Sequence, residues 1–177
     1  MLRAALAGLG HVKRLLERVI YALAALIVAV MVLALAFSAL TRFVSGTGYD
    51  WFIELPPVLS CWLVFPLLGP LLKAGQHIKV DILPVFLSIR QRGVLSLFIH
   101  ITALASALVF LRAGLDATQL YMMLGQMMEL EIEMPLWWMY LAFPTGFAVL
   151  AMFAADVALR DGQSLMNGGG AWAVFRG

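Results

Sequence analysis

Four long runs without a charged residue alternate with short charged segments along this chain of 177 residues. A helix needs about 20 apolar residues to cross the hydrocarbon core of a bilayer, so each run can span a membrane. Helices are expected because lipid offers no hydrogen-bond partners to an exposed backbone. The pattern predicts an all-α integral membrane protein with four transmembrane helices. The uncharged runs are residues 19–41, 55–72, 93–111 and 134–155.

The segments around these runs complete a single predicted membrane domain over 1–177. Residues 1–18 carry leucines among basic residues, which predicts an amphipathic helix on the membrane surface. The first run exceeds the apolar core of a cleaved signal peptide, about 7–15 residues, so we expect it to remain as a helix. The other boundaries are predicted as follows: transmembrane helices at 19–43, 51–73, 93–128 (with a periplasmic extension) and 135–157, a cytoplasmic interfacial segment at 77–90, and a flexible tail at 162–177.

The basic residues indicate which side of the membrane each end occupies. Ten of the twelve Lys and Arg residues lie in the amino-terminal segment, in the connection after the second run, or in the carboxyl-terminal tail. Only Arg42 and Arg112 fall on the opposite side. Because short cytoplasmic loops are enriched in Lys and Arg, both termini are predicted to be cytoplasmic.

Composition points away from catalysis and from cofactors. The chain is 63% hydrophobic, and its one cysteine, Cys61, can build neither a disulfide framework nor a thiolate metal site. We find no Ser/His/Asp set, zinc spacing or phosphate-binding loop, and the basic residues flank membrane segments, which does not favour nucleic acid binding. We therefore predict a protein that is not an enzyme and that holds no metal or cofactor, although bound lipids are compatible with it.

His100 lies inside the third run and keeps a second class of function open. A bis-histidine haem needs another histidine at the same depth, whereas His11 and His77 both lie at the cytoplasmic margin. An interhelical hydrogen bond is the simpler prediction for His100. The alternative is a membrane anchor subunit of a haem or quinone redox complex. A self-sufficient small carrier would need a buried carboxylate in its path, and Glu54 is too shallow.

The predicted outer side combines acidic and aromatic residues. Glu129, Glu131 and Glu133 alternate just before the fourth helix, as a solvated loop or as an acidic patch that guides a periplasmic protein to its docking site. Aromatic residues at the ends of membrane helices are typical anchors at the membrane interface. The predicted anchors are Trp51, Trp137, Trp138 and Tyr140.

The stretch GQHIKVD, residues 75–81, places three ionisable groups between two apolar segments. If it is helical, His77 and Asp81 stand one turn apart and can share a hydrogen bond. Asp81 can also pair with Lys73 or Lys79. The stretch has too few ligands for a metal site, so we interpret it as a corner that holds the end of the second helix.

Two longer stretches resemble the DctQ-like family, the small membrane subunits of tripartite ATP-independent periplasmic (TRAP) transporters. The first reads ELPPVLSCWLVFPLLGPLLKAGQHIKVDILP and the second reads MPLWWMYLAFPTGFAVL. The resemblance covers roughly residues 15–158. It implies four helices with both termini inside, in the bacterial inner membrane.

The resemblance also implies a function and partners. Such a subunit scaffolds the large membrane subunit (DctM-like) and helps to dock the periplasmic solute-binding protein (DctP-like). The large subunit then takes up an organic acid on a sodium gradient. The resemblance implies docking through Glu129, Glu131 and Glu133. Residues implied for architecture or subunit contact are Glu54, Trp62, Gly69, Lys73, His77, Asp81, Pro144 and Gly146.

Overall fold

A computed structural model describes residues 2–49, 51–74, 88–128 and 133–166 of the chain, with side chains from Lys13 onward except those of residues 89 and 90. Four helical stretches in it are long and apolar enough to cross a membrane. The prediction of an all-α membrane protein is therefore confirmed. The elements are α1 (Leu2–Ser45), α2 (Trp51–Lys73), α3 (Ile89–Leu124), β1 (Met127–Met128), β2 (Met134–Pro135), α4 (Leu136–Tyr140) and α5 (Ala142–Met166).

Helix α1 is continuous where the sequence pattern places a boundary at residue 18. It runs from Leu2 to Ser45 as one helix. Residues 11–45 contain neither glycine nor proline, so nothing in the backbone interrupts it. The helix ends at Gly46, whose φ of 71° lies in the left-handed region and whose N–H donates to the Arg42 carbonyl at 3.1 Å.

Helix α2 passes through four prolines without a break. Pro56 and Pro57 are the sixth and seventh residues of the helix, so the Phe52 and Ile53 carbonyls lack their usual helical donors. Pro66 and Pro70 lie in the interior. Since proline has no N–H, the Trp62 and Pro66 carbonyls lose their usual helical donors.

Helix α3 begins four residues before the predicted start, at Ile89, because Ser88 caps it. The Ser88 hydroxyl accepts from the Gln91 N–H, and the Gln91 side chain accepts from the Ser88 N–H at 2.9 Å. This reciprocal pair is a capping box. The helix ends at Leu124 with Gly125 in the left-handed conformation, φ 59°. Most of the predicted interfacial segment 77–90 lies outside the described residues.

A two-stranded antiparallel pair follows α3 and is not indicated by the sequence pattern. Met127 pairs with Pro135, and Met128 pairs with Met134. The strands are too short for a hydrophobic alternation to be visible. They bring the chain back into α4 and α5, which together form the fourth membrane-spanning stretch, Leu136–Met166.

Helix α5 is the central element of the bundle. Of the most apolar window in its stretch, 44% is buried, against 11% for α1 and 17% for α3. It packs mainly against α3 and α2, while α1 packs chiefly against α2. The helix extends to Met166, beyond the predicted end at 157, and Phe153, Val157 and Asp161 on one of its faces are buried.

Candidate functional site

Three polar side chains form a buried cluster between α3 and α5, which we call the polar cluster: Ser96, His100 and Asp161. Their relative exposures are 0%, 2% and 1%. His100 Nδ1 lies 3.0 Å from Asp161 Oδ2, and the Ser96 hydroxyl donates to the same carboxylate oxygen. Ser96 and His100 are four residues apart, so they share one face of α3 and reach one partner on α5.

The geometry of the polar cluster suits helix pairing rather than catalysis. In a Ser-His-Asp triad the serine hydroxyl donates to the histidine, whereas Ser96 donates to the Asp161 carboxylate and is itself fully buried. Both contacts join α3 to α5. The prediction of an interhelical hydrogen bond at His100 is confirmed. Its partner Asp161 is not indicated by the sequence pattern, because it lies beyond the predicted end of the last helix.

A second group of ionisable side chains lies at the same end of the bundle, and we call it the charged layer: Lys13, Glu17, Lys73, Asp156 and Arg160. Lys73 Nζ lies 2.5 Å from Glu17 Oε2, which joins α2 to α1. Lys13 pairs with Asp156, which joins α1 to α5. Arg160 Nη2 lies 2.9 Å from Asp156 Oδ2, although that oxygen receives no well-directed hydrogen bond.

The charged layer is partly shielded from solvent. Lys13 and Asp156 are each 15% exposed, and Lys73 and Glu17 are 30% and 23% exposed. Lys73 Nζ also lies 5.8 Å from the centre of the Phe153 ring, within the range of a cation–π contact. Lys73, implied by the resemblance for architecture, thus connects α2 to both of its helical neighbours.

Two glycines implied by the resemblance lie where helices approach most closely. A Cβ on Gly69 would come within 2.7 Å of the Val149 and Phe153 side chains. A Cβ on Gly146 would come within 2.5 Å of the Phe65 carbonyl carbon and 2.6 Å of its oxygen. Backbone does not yield as a flexible side chain can, so Gly146 lets α5 lie directly against α2.

Aromatic pairs connect the helices toward the other end of the bundle. The Trp62 and Trp138 ring centres lie 6.0 Å apart, and the Tyr121 and Tyr140 rings stack at 4.1 Å. The Tyr140 hydroxyl donates to the Tyr121 hydroxyl at 3.2 Å. Two of the predicted interface anchors, Trp138 and Tyr140, therefore also pack against neighbouring helices.

The remaining residues singled out by the sequence have diverse surroundings. Glu54 is half-buried in the first turn of α2, and the Trp51 ring packs on Phe52 with 4.4 Å between centres. Pro144 is buried, and its Cδ would lie 3.1 Å from a Cβ on Gly114. Trp137 is half-buried and Glu133 is exposed. Four predicted site residues lie outside the described residues: His77, Asp81, Glu129 and Glu131.

Within the described residues, no three His, Cys, Asp or Glu side chains come together in a way that could hold a metal ion. Contacts between acidic and basic side chains of different helices occur in both the polar cluster and the charged layer. The chemistry that these residues support is the fixing of helix positions.

Comparison with known protein families gives a match over most of the chain. The family model for tripartite ATP-independent periplasmic transporters, DctQ component, matches residues 31–163. That range includes α2, α3 and most of the fourth membrane-spanning stretch, together with the polar cluster. No curated protein matches the chain.

Proposed function

Because the chain belongs to the DctQ family, the small membrane subunits of TRAP transporters, we propose that it scaffolds the large transport subunit and helps to dock the periplasmic solute-binding protein. As a member of this family it is a multi-pass inner-membrane protein and a transporter component, which is not a class of enzyme. The family match over residues 31–163 carries this proposal.

The contacts that ionisable side chains make between helices support a scaffold role. Two ion pairs and one hydrogen-bonded pair join different helices: Lys13 with Asp156, Glu17 with Lys73, and His100 with Asp161. Burying an ionisable group within the membrane costs free energy, and such groups commonly lie on transport pathways. Here they are engaged in holding neighbouring helices together, as expected of a subunit that supports transport by its partner.

The exposed faces of α1 and α3 support assembly with a larger membrane partner. Their most apolar windows are the least buried of the four. Large apolar side chains are exposed along both helices, for example Phe37 at 53%, Val109 at 66% and Phe110 at 54%. Such surfaces suit contact with lipid or with another membrane subunit.

We further propose that the outer acidic residues guide the binding protein. Glu133 is exposed directly before β2, on the chain that returns from α3. Changing Glu129, Glu131 and Glu133 together to Gln should slow association of the binding protein and reduce the salt dependence of its rate, because charge mainly guides encounter. An unchanged association rate at low salt would contradict this part of the proposal.

The direction and energetics of transport complete the proposal. The bias of basic residues supports cytoplasmic termini. We propose uptake of an organic acid driven by a sodium gradient, with solute and ion both handled by the large subunit. Substituting His77 or Asp81 by Ala should then weaken assembly without altering which solute is taken up.

Purification in a mild detergent tests the scaffold role. The tagged full-length chain should recover a large polytopic membrane protein in one-to-one amount, as identified by mass spectrometry. A colourless, folded chain recovered alone would contradict the scaffold role. A coloured preparation with soluble redox subunits would instead favour the haem or quinone anchor.

A further inference from the structure

A cleft opens between α1 and α5 on one side of α2. Its volume is about 450 Å³, and all three helices and α4 contribute to its walls. Most of its lining is apolar, with Ile20 and Leu23 on α1, Pro66 on α2 and Val149 on α5. It exists because α1 packs chiefly against α2 rather than against α5.

The charged layer lies about two helical turns beyond one end of this cleft. Residues seven apart lie on nearly the same face of a helix, about 10 Å along its axis. Lys13 precedes Ile20 by seven residues, Lys73 follows Pro66 by seven, and Asp156 follows Val149 by seven. The face of each helix that lines the cleft therefore continues into the charged layer.

The charged layer has a positive balance. It contains Lys13, Lys73 and Arg160 against Glu17 and Asp156, and Arg160 is 62% exposed. An apolar cleft with an excess of positive charge beyond one end matches an amphiphile with a hydrocarbon tail and an anionic head. A helix, about 10 Å or more across with its side chains, is a poorer match to a cleft of this volume.

We propose that this cleft holds one acyl chain of an anionic membrane phospholipid whose headgroup lies against the charged layer. The chain fills the gap that α1 leaves beside α5, and the headgroup is attracted to Arg160 and its basic neighbours. The bound lipid thereby supports the position of α1, whose direct packing on α5 is slight. This proposal does not depend on the transport role.

Leucines on α1 offer a matched pair of variants for the test. Leu23 lines the cleft and is 52% exposed, whereas Leu26 does not line it and is 59% exposed. Leu23→Trp should obstruct the cleft, and Leu26→Trp adds the same bulk on another face of the same helix. The full-length chain is purified with any copurifying subunit, and its retained lipids are counted by native mass spectrometry.

The wild-type chain and Leu26→Trp should each retain one phospholipid per chain, whereas Leu23→Trp should lose most of it. Equal retention by the two variants, or no retained phospholipid in the wild type, would overturn the proposal. A photoreactive group at position 23 should attach to phospholipid. Its attachment to a protein chain would show that the cleft is a protein contact and would also overturn it.

The headgroup is tested with two lipid probes added to the delipidated sample, phosphatidylglycerol and phosphatidylcholine. Phosphatidylglycerol should bind in preference, and Arg160→Gln should lower that preference about fivefold, the effect of one basic side chain near a membrane surface. Arg18→Gln removes an exposed basic residue that lies on the other side of α1 from the cleft and should leave the preference unchanged. Equal binding of both lipids to the wild type would overturn the anionic assignment.

Discussion

Replacing Asp161 by Ala should destabilise the fold strongly, because one carboxylate serves two buried partners. The change would leave His100 and the Ser96 hydroxyl without the acceptor that they share. Both are at most 2% exposed, so water cannot easily replace it. A buried polar group left without a partner costs about 1–3 kcal/mol in soluble proteins.

The expected effect on stability follows from these two groups. Interhelical hydrogen bonds in membranes are weaker on average than the soluble-protein figure suggests, about 0.6 kcal/mol with values up to about 1.7. For two orphaned groups we expect a loss of about 2–4 kcal/mol in the free energy of unfolding. At about 2–4 °C per kcal/mol for a chain of this size, Tm should fall by about 5–15 °C.

Thermal unfolding in a mild detergent, followed by size-exclusion chromatography of the surviving fraction, measures this change. Asp116→Ala is the control, because Asp116 forms an exposed pair with Arg112 on one helix, at 3.5 Å. That pair is worth about 0.3–0.5 kcal/mol. If Asp161→Ala melts within 2 °C of this control, roughly the effect of 1 kcal/mol, the reasoning is wrong. His100→Ala should lower Tm less in the Asp161→Ala variant than in the wild type, because the two side chains are hydrogen-bonded to each other.

Three further changes test other contacts. Gly146→Ala should force α2 away from α5 and lower the free energy of unfolding by about 1–3 kcal/mol, which a lower Tm would show. Gly162→Ala is the control and should leave Tm unchanged, because nothing lies within 4 Å of its added Cβ. Glu17→Gln should remove the ion pair with Lys73 and lower the free energy of unfolding by at most about 1 kcal/mol, measured in the same thermal unfolding assay. The effect should be smaller at high salt, and a loss of stability above this value would contradict the estimate. His77→Ala should reduce the recovered complex in a pull-down, whereas a complex of normal yield with altered solute preference would refute its structural role.

The membrane helices could be predicted because a bilayer imposes a simple length and polarity rule. Each uncharged run lies largely within a described helical stretch that can span the membrane. The ends were harder to predict. The start of α3 depends on the local hydrogen bonds of Ser88 and Gln91, and the sequence pattern alone places it at 93 instead of Ile89.

The polar cluster could be predicted only in part, because one sequence does not indicate which helix faces lie together. His100 was a clear candidate as an ionisable group within an apolar run. Asp161 was hidden beyond the predicted end of the fourth helix, although it shares a helical face with Phe153 and Val157. Ser96 and His100, four residues apart, were the available signal that one face of α3 is polar.

The pairs of the charged layer needed the structure for the same reason. The sequence showed that these residues lie near the ends of apolar runs, and the basic ones among them contributed to the prediction of orientation. Which acid meets which base depends on the order of helices in the bundle. The pairing of Lys13 with Asp156 joins residues far apart in sequence, and no local pattern indicates it.

Uptake into vesicles tests the central claim most directly. Vesicles containing the large subunit and this chain, supplied with the binding protein and an inward sodium gradient, should accumulate the organic acid. Vesicles lacking this chain should accumulate far less, and vesicles containing this chain as their only membrane protein should accumulate none. Accumulation by this chain alone would contradict the account, because it would assign the transport path to a subunit that we describe as a scaffold.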